Sequence, residues 1–197
     1  MLRMHIVYED AVSLAVIERM IGAHRDRLTI GDHHHGQGFG RIKANIAKYN
    51  TVAERLPFFV LTDLDTKQCA PGLIAQWLPG SKAPHLLFRI AVREVESWLL
   101  ADREGFAAYL GISAANLPRD PDSLLDPKGE IFRLTRKSRS RGLRQDIIPE
   151  GLASIGPGYN DAMPRFVRSG WNPETARKYS PSLDKALRAL NDYLRSH

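Results

Sequence analysis

The stretch Pro57–Asp65, PFFVLTDLD, decides the fold class of this 197-residue chain. Residues 57–62 are apolar except for the last, which predicts a strand buried on both faces, as in a parallel sheet covered by helices. The strand is followed at once by Asp63 and Asp65. In open α/β sheets the functional groups gather beyond the carboxyl ends of the strands, so these two carboxylates are candidate site residues.

Strands and helices alternate on both sides of this stretch. The other predicted strands are Met4–Tyr8, Arg27–Ile30 and His85–Val92. The predicted helices are Ala11–Ile21, Arg41–Tyr49, Cys69–Trp77 and Glu94–Leu100. Four successive β-α pairs predict an α/β fold with a mostly parallel, Rossmann-like sheet flanked by helices. Residues 31–40, GDHHHGQGFG, contain four glycines and are predicted to form a loop.

The composition of the chain changes near Pro118, since eight of its twelve prolines lie in the last 80 residues. We therefore predict an α/β domain over residues 1–112 and a basic, proline-punctuated helical extension over residues 113–197. We expect the extension to pack on the sheet as part of one compact unit. A final helix is predicted over Ser182–Leu194, with Ser182 as its N-cap.

Composition excludes several classes of protein. The single cysteine, Cys69, excludes a disulfide framework and a zinc ribbon. No apolar run approaches the roughly 18 residues of a membrane helix. The first ten residues, MLRMHIVYED, already contain two acids, so we expect no signal peptide. These features predict a cytoplasmic protein without a membrane partner.

The net charge of +6 is a local feature. The segment Ile131–Arg144 holds six basic residues and no acid, so the rest of the chain is neutral. Its basic residues are Arg133, Arg136, Lys137, Arg139, Arg141 and Arg144. They form either a solvated helix face or a surface that binds the phosphates of a nucleic acid. The sequence leaves both interpretations open.

Pairs of acids follow three of the four predicted strands. They are Glu9 and Asp10, Asp63 and Asp65, and Glu94 and Glu96. Each acid alone is explained by a helix cap or a turn. Three pairs at neighbouring strand ends would repel one another unless a cation lay between them, and carboxylate oxygens suit Mg²⁺ or Mn²⁺. If Glu94 and Glu96 both lie in a helix, only one of them faces this site.

Residues 31–43 contain two further features, a histidine triplet and a glycine-rich stretch that precedes two basic residues. His33, His34 and His35 could bind a transition metal, but three adjacent residues on a loop rarely converge on one ion, and a solvated loop is favoured. The glycines from Gly36 to Gly40 precede Arg41 and Lys43 without the spacing of a Walker A motif. Lys43 is a candidate electrostatic stabiliser of the acidic site.

Five segments of the chain carry a family resemblance. HIVYED (His5–Asp10) and FFVLTDLD (Phe58–Asp65) resemble the Glu and D-x-D motifs of the Toprim domain, which topoisomerases, DnaG-type primases and OLD-family nucleases share. REVESWLLAD (Arg93–Asp102) is similar to the R-E-x-E-x-W-L-L-A-D segment of small Toprim-like proteins. DPKGEIFRL (Asp126–Leu134) and ARKYSPSLDKALRAL (Ala176–Leu190) resemble later parts of that family. Toprim domains often have Gly after the Glu, whereas Asp10 and Ala11 stand here.

The resemblance implies a nuclease that hydrolyses phosphodiester bonds with Mg²⁺ or Mn²⁺. Glu9 would be general base or metal ligand, Asp63 and Asp65 would bind metal, and Glu94 or Glu96 would serve a second ion. The implied substrate is a nucleic acid, with DNA favoured over RNA. The resemblance also implies a separate ABC- or AAA-type ATPase as partner, a role in phage defence, and leaves an oligomer open.

Two other functions stay open at this point. DLDT (Asp63–Thr66) is similar to the D-x-D-x-T of aspartate-based phosphatases, although it lies on the third predicted strand and Thr66 is one residue early. A receiver-like domain would use Glu9, Asp10 and Asp63 but would need a late Lys-Pro that is missing. The second alternative is a non-catalytic, metal-stabilised module that binds nucleic acid or regulates a partner.

Overall fold

The computed structural model describes residues 1–36, 38–66 and 69–197. Its centre is a four-stranded sheet in the order β2-β1-β3-β4, in which every pairing is parallel. The strands are β1 (Leu2–Tyr8), β2 (Leu28–His35), β3 (Phe58–Asp63) and β4 (Leu86–Ala91). The predicted α/β fold with a parallel sheet flanked by helices is confirmed.

Helices follow every strand and make up most of the C-terminal half. In the described residues they are α1 (Ala11–Gly22), α2 (Phe39–Val52), α3 (Ala70–Trp77), α4 (Val95–Ala101), α5 (Arg103–Leu110), α6 (Pro127–Thr135), α7 (Arg141–Ile147), α8 (Tyr159–Ser169), α9 (Pro173–Ala176) and α10 (Pro181–Arg195). Short 3-10 turns lie at Ala114–Asn116 and Pro121–Ser123. None of the helices in the described ranges combines the length and the apolar character needed to cross a membrane.

The apolar residues of β3 explain why both faces of the sheet are covered. Successive side chains of a strand point to opposite faces. Phe59 and Leu61 belong to a core that includes α1 and the C-terminal helices. Phe58 and Val60 belong to a second core with α2 and α3. A strand buried on both sides needs the continuous apolar run seen in the sequence.

The C-terminal helices pack on the α1 face of the sheet. Helix α8 lies against α1, α6 lies against α4, and α10 lies against β4. Trp98 of α4 and Trp171 are fully buried there, and the Trp171 indole N–H donates a hydrogen bond to the Trp98 carbonyl at 2.9 Å. This packing brings side chains from α6 and α8 under the carboxyl ends of the strands.

The predicted loop over residues 31–40 is wrong for its first half. Residues 31–35 continue β2, which pairs with β1 as far as Tyr8 and His35. The pairing shifts register between Met4 and Ile6, so that β2 bulges opposite His5. Glycines are typical of loops, but Gly31 lies in the bulge of β2, where it approaches β1 closely. The glycine-rich composition therefore did not reveal the strand. Gln37, in the predicted glycine loop, lies outside the described residues.

The N-cap of the last helix also differs from the prediction. Ser180, not Ser182, caps α10, since its hydroxyl accepts a hydrogen bond from the Leu183 N–H at 3.2 Å. Pro181 then occupies the first helical position, where its missing N–H has no intrahelical role. Ser182 instead lies near the Trp98 indole, which donates to its hydroxyl at 2.7 Å.

Candidate active site at the carboxyl ends of three strands

The sheet order places the predicted acids side by side. Strands β1, β3 and β4 are consecutive neighbours in the sheet and run in the same direction. Glu9 directly follows β1, Asp63 ends β3, and Glu94 lies three residues after β4. The carboxylates that follow these strands are therefore brought together at one edge of the sheet.

Hydrogen bonds from β3 fix the side chain of Glu9, which directly follows β1. Its Oε1 accepts a hydrogen bond from the backbone N–H of Asp63 at 2.9 Å and another from the Thr62 hydroxyl. Burial raises the pKa of Glu9, while these two hydrogen bonds oppose the rise. Oε1 is thus occupied by the protein, and no basic side chain in ranges 1–36, 38–66 and 69–197 forms an ion pair with this carboxylate.

Asp63 is the most perturbed carboxyl of the group. Its Oδ1 accepts a hydrogen bond from the Val95 N–H, at the start of α4, at 3.0 Å. Burial raises the pKa of Asp63 well above its usual range, and repulsion from Glu96 and Glu9 raises it further. A positive ion beside Asp63 would relieve both effects.

Asp65 stands at a turn immediately after the strand. It has a left-handed backbone, with φ of 50°, and its side chain is exposed. Its N–H donates to the Arg93 carbonyl at 2.9 Å, and its own carbonyl accepts from the Arg93 guanidinium at 3.1 Å. The chain therefore turns after Asp63, and the negative charge of Asp65 raises the pKa of both Glu9 and Asp63.

Glu94 and Glu96 reach the same basic residue. Glu94 has extended backbone and is the N-cap of α4, so the expectation that it lies in the helix is wrong. Its Oε2 accepts a hydrogen bond from the Lys128 backbone N–H at 3.2 Å. Glu96, inside α4, has Oε1 at 3.4 Å from the Lys128 ammonium. Both carboxylates thus face the start of α6.

Glu96 is almost completely buried. Its Oε1 also accepts a hydrogen bond from the Tyr159 hydroxyl at 2.9 Å, but its Oε2 is buried with no hydrogen-bond partner among the described residues. Burial raises the pKa of Glu96 to about 6, against the opposing effects of Lys128 and Tyr159. A buried carboxylate oxygen without a protein partner is rare, and an ordered water molecule or a bound ion would satisfy it.

The sequence reasoning missed Lys128 and Tyr159. Burial by itself lowers the pKa of Lys128, but Glu96, Glu94 and Asp63 outweigh it and raise that pKa, so the ammonium stays charged. A lysine in the first turn of a helix is unfavourable, because the positive end of the helix dipole lies there. That misplaced charge, directly after the Asp126 N-cap and Pro127, is the signal that could have identified Lys128.

Two other residues from the sequence analysis lie outside this arrangement. Asp10 caps α1, since its Oδ1 accepts from the Ser13 N–H at 2.8 Å, although its charge still raises the pKa of Asp63. Lys43 is exposed on α2. Within the described ranges Lys43 forms no ion pair with the acids, and its role as an electrostatic stabiliser stays a prediction.

The basic segment lies around the end of α6 and the start of α7. Arg136, Arg139 and Arg141 are exposed there. Helix α6 connects the two regions, with Lys128 in its first turn and Arg136 directly after its last residue. Eight residues of helix span about 12 Å, which is about three to four phosphates along one strand of a duplex.

Half of the basic segment already has protein partners. The Arg133 guanidinium donates to Glu130 at 2.6 Å, the Lys137 ammonium donates to the Asn116 side chain at 2.6 Å, and Arg144 donates to the Ser138 carbonyl. Glu130 lies one residue before the segment and was therefore not counted against its charge. The positive charge available to a ligand is smaller than the sequence suggests.

Comparisons with known proteins give no match. No family model, no curated protein and no solved structure is similar enough to this chain to count as one. The chemistry of the site must therefore be inferred from its own residues.

Proposed function

We propose that this chain is a nuclease that depends on divalent metal ions and cleaves phosphodiester bonds of nucleic acid. The observation that carries the proposal is the charge of the acidic cluster, defined as Glu9, Asp63, Asp65, Glu94 and Glu96. Lys128 is the one cation that forms an ion pair with the cluster in the described part of the chain. When ionised, the cluster carries five negative charges against this one ion-paired cation of the described residues, and two divalent ions would balance the remaining four.

The chemical type of the donors suits Mg²⁺ or Mn²⁺. Every member of the acidic cluster offers hard carboxylate oxygens, which these ions prefer. The buried Oε2 of Glu96 has no hydrogen-bond partner among the described residues, and such an oxygen is suited to a ligand. Burial raises the pKa of Asp63 and of Glu96, neighbouring carboxylates raise both further, and a positive ion beside them would oppose these effects. When bound, the ions would activate a water molecule and stabilise the charge that develops on the phosphate.

The protein groups then have distinct roles in the proposed reaction. Glu9, with a raised pKa and an orientation fixed through Oε1, is the general base that accepts a proton from water. Lys128 keeps its proton and offers positive charge to the phosphate oxygens. Tyr159 holds Glu96 in place through the hydrogen bond to Oε1.

We expect the purified chain to cleave plasmid or single-stranded substrates with Mn²⁺ or Mg²⁺ and to leave them intact in chelator. Glu9→Gln should lose this activity, because the amide keeps the hydrogen bonds at Oε1 and cannot accept the proton. Asp192→Asn, an exposed acid on α10, is the matched control and should cleave like the wild type. Cleavage that persists in chelator, or an active Glu9→Gln variant, would contradict the proposal. Binding without cleavage would favour the non-catalytic module.

The exposed part of the basic segment is proposed to bind the substrate backbone. Replacing the exposed Arg136, Arg139 and Arg141 with Gln should weaken nucleic-acid binding and reduce the slope of log K against log salt by up to about 3, because each phosphate contact contributes about one unit. Gel-shift or fluorescence titrations at several salt concentrations measure both quantities.

The control for that variant removes three arginines elsewhere. Arg25, in the turn between α1 and β2, and Arg188 and Arg195 on α10 are exposed and lie outside the basic segment. Their replacement by Gln lowers the net charge equally and should leave most of the salt slope in place. Equal slopes for the two triple variants would return the basic segment to the interpretation of a solvated face.

A further inference from the structure

We propose that His5, Asp32 and His34 form a second metal site, which binds one transition-metal ion such as Zn²⁺. One ligand atom from each of the three side chains lies within 4.8 Å of the other two. The inference does not rest on the proposed nuclease activity. His5 precedes Glu9 by four residues along β1, a distance of about 13 Å in a strand, so this site is separate from the acidic cluster.

The contact between His5 and Asp32 has the dimensions of a shared ion. The Nδ1 atom of His5 lies 3.1 Å from Oδ2 of Asp32. Two ligands at about 2.0–2.1 Å from one metal ion are separated by roughly 3.0–3.4 Å, depending on the coordination geometry. The same Nδ1 lies 3.2 Å from the Asp32 backbone N–H, so in the metal-free protein it accepts that hydrogen bond. A bound ion would take the lone pair of Nδ1 in place of that hydrogen bond and would separate Nδ1 from the nearby Asp32 carboxylate oxygen.

The bulge in β2 builds this arrangement. The register shift between Met4 and Ile6 places Asp32 opposite His5 instead of one position further along. A Cβ at Gly31 would lie 3.2 Å from His5 Nδ1, so glycine keeps this space open. The side chain of Asp32 is exposed, which gives an ion access from solvent.

The strand also explains how one histidine of the HHH triplet reaches the site. Alternation along β2 places Asp32 and His34 on one face, and His33 and His35 on the other. The His34 ring lies near the His5 ring, with centroids 6.3 Å apart, and packs on Phe58. His35 instead stacks on Tyr8. In a loop, three adjacent histidines would not be separated onto two faces in this way. This is why a loop assignment for residues 31–40 does not favour a metal site.

The ligand types select the class of metal. Imidazole nitrogen suits Zn²⁺, Co²⁺, Ni²⁺ or Cu²⁺, whereas Mg²⁺ prefers oxygen alone. Arg3 contacts Oδ1 of Asp32 at 3.2 Å, which leaves Oδ2 for the ion. Because its ligands come from β1 and from the edge strand β2, a bound ion would fasten the edge of the sheet. Three protein ligands also leave a coordination position for water.

The test is metal binding by the purified full-length chain without a histidine tag. With excess Mg²⁺ present to occupy the acidic cluster, we expect Zn²⁺ titrated in a calorimeter to bind at one site per chain and to raise the unfolding temperature. Co²⁺ should give a visible absorption band when it replaces Zn²⁺. His34→Gln should weaken Zn²⁺ binding by more than about tenfold. Removing a residue that only hydrogen-bonds to a metal ligand already costs about tenfold or more, and His34 would itself be a ligand. His33→Gln is the matched control, since its side chain lies on the opposite face, and it should bind Zn²⁺ like the wild type.

Asp63→Asn separates the second site from the acidic cluster. This variant should keep the Zn²⁺ site and its Co²⁺ spectrum even where cleavage is lost. Equal Zn²⁺ affinity in the wild type and in His34→Gln would overturn the inference, as would a Co²⁺ band lost in Asp63→Asn. Circular dichroism of His34→Gln checks that the variant is folded, and Asp32→Asn provides a second, exposed ligand variant if it is not.

Discussion

Asp63→Asn is expected to abolish metal-dependent cleavage and, in the same protein, to stabilise the metal-free fold. Cleavage should fall by roughly a hundredfold or more, the effect of losing one strong electrostatic contact to a transition state. The free energy of unfolding in chelator should rise by about 1–2 kcal/mol, as is common when an unfavourable active-site group is neutralised. The Asn carbonyl can still accept the hydrogen bond from the Val95 N–H, so the strand end keeps its geometry.

The opposite signs of the two effects identify the role of Asp63. A residue kept for the fold would lose stability when replaced, whereas Asp63 is partly buried beside Glu96 and Glu9, which raise its pKa. Denaturant unfolding in chelator and cleavage with Mn²⁺ measure the two effects, with Asp192→Asn as control. A less stable Asp63→Asn in chelator would assign the residue to the fold, and undiminished cleavage would contradict the proposed nuclease.

The sequence predicted the position of the acids because that position follows from topology. Once PFFVLTD is identified as a doubly buried strand, parallel pairing is the geometry that covers both faces, and the residues after each strand share an edge. Glu9, Asp63 and Glu94 needed no knowledge of side-chain packing. Their neighbouring positions follow from the order of β1, β3 and β4 in the sheet.

The same reasoning could not find Lys128 or Tyr159. Both lie in the C-terminal half, and their approach to Glu96 depends on how α6 and α8 pack on α4 and α1. Helix packing has several allowed solutions that a single sequence does not distinguish. Backbone bulges are equally hidden, which is why residues 31–35 were assigned to a loop and not to β2.

Lys128→Met is expected to destabilise the metal-free protein by about 3 kcal/mol near pH 8. The reason is that Glu96 is almost completely buried, and removing its cation leaves an uncompensated buried charge. The methylenes of Met keep most of the packing of the lysine stem. Glu96→Gln in the same chain removes the charge that Lys128 balanced, so the double variant should recover most of the loss, and a double-mutant cycle measures this coupling.

The pH dependence of the free energy of unfolding tests the pairing of Lys128 with Glu96 independently. The pKa of Glu96 is raised from 4.5 to about 6 in the folded protein, so the fold binds more protons than the unfolded chain between these values. Stability from this group is therefore fully present below about pH 4.5 and is lost, by about 2 kcal/mol, as the pH rises through 6. Lys128→Met should steepen that loss, because Lys128 lowers the pKa of Glu96, and Glu96→Gln should flatten it. Urea unfolding in chelator from pH 4 to 8 tests this, and a Lys128→Met variant that is no less stable than the wild type at pH 8 would contradict the pairing.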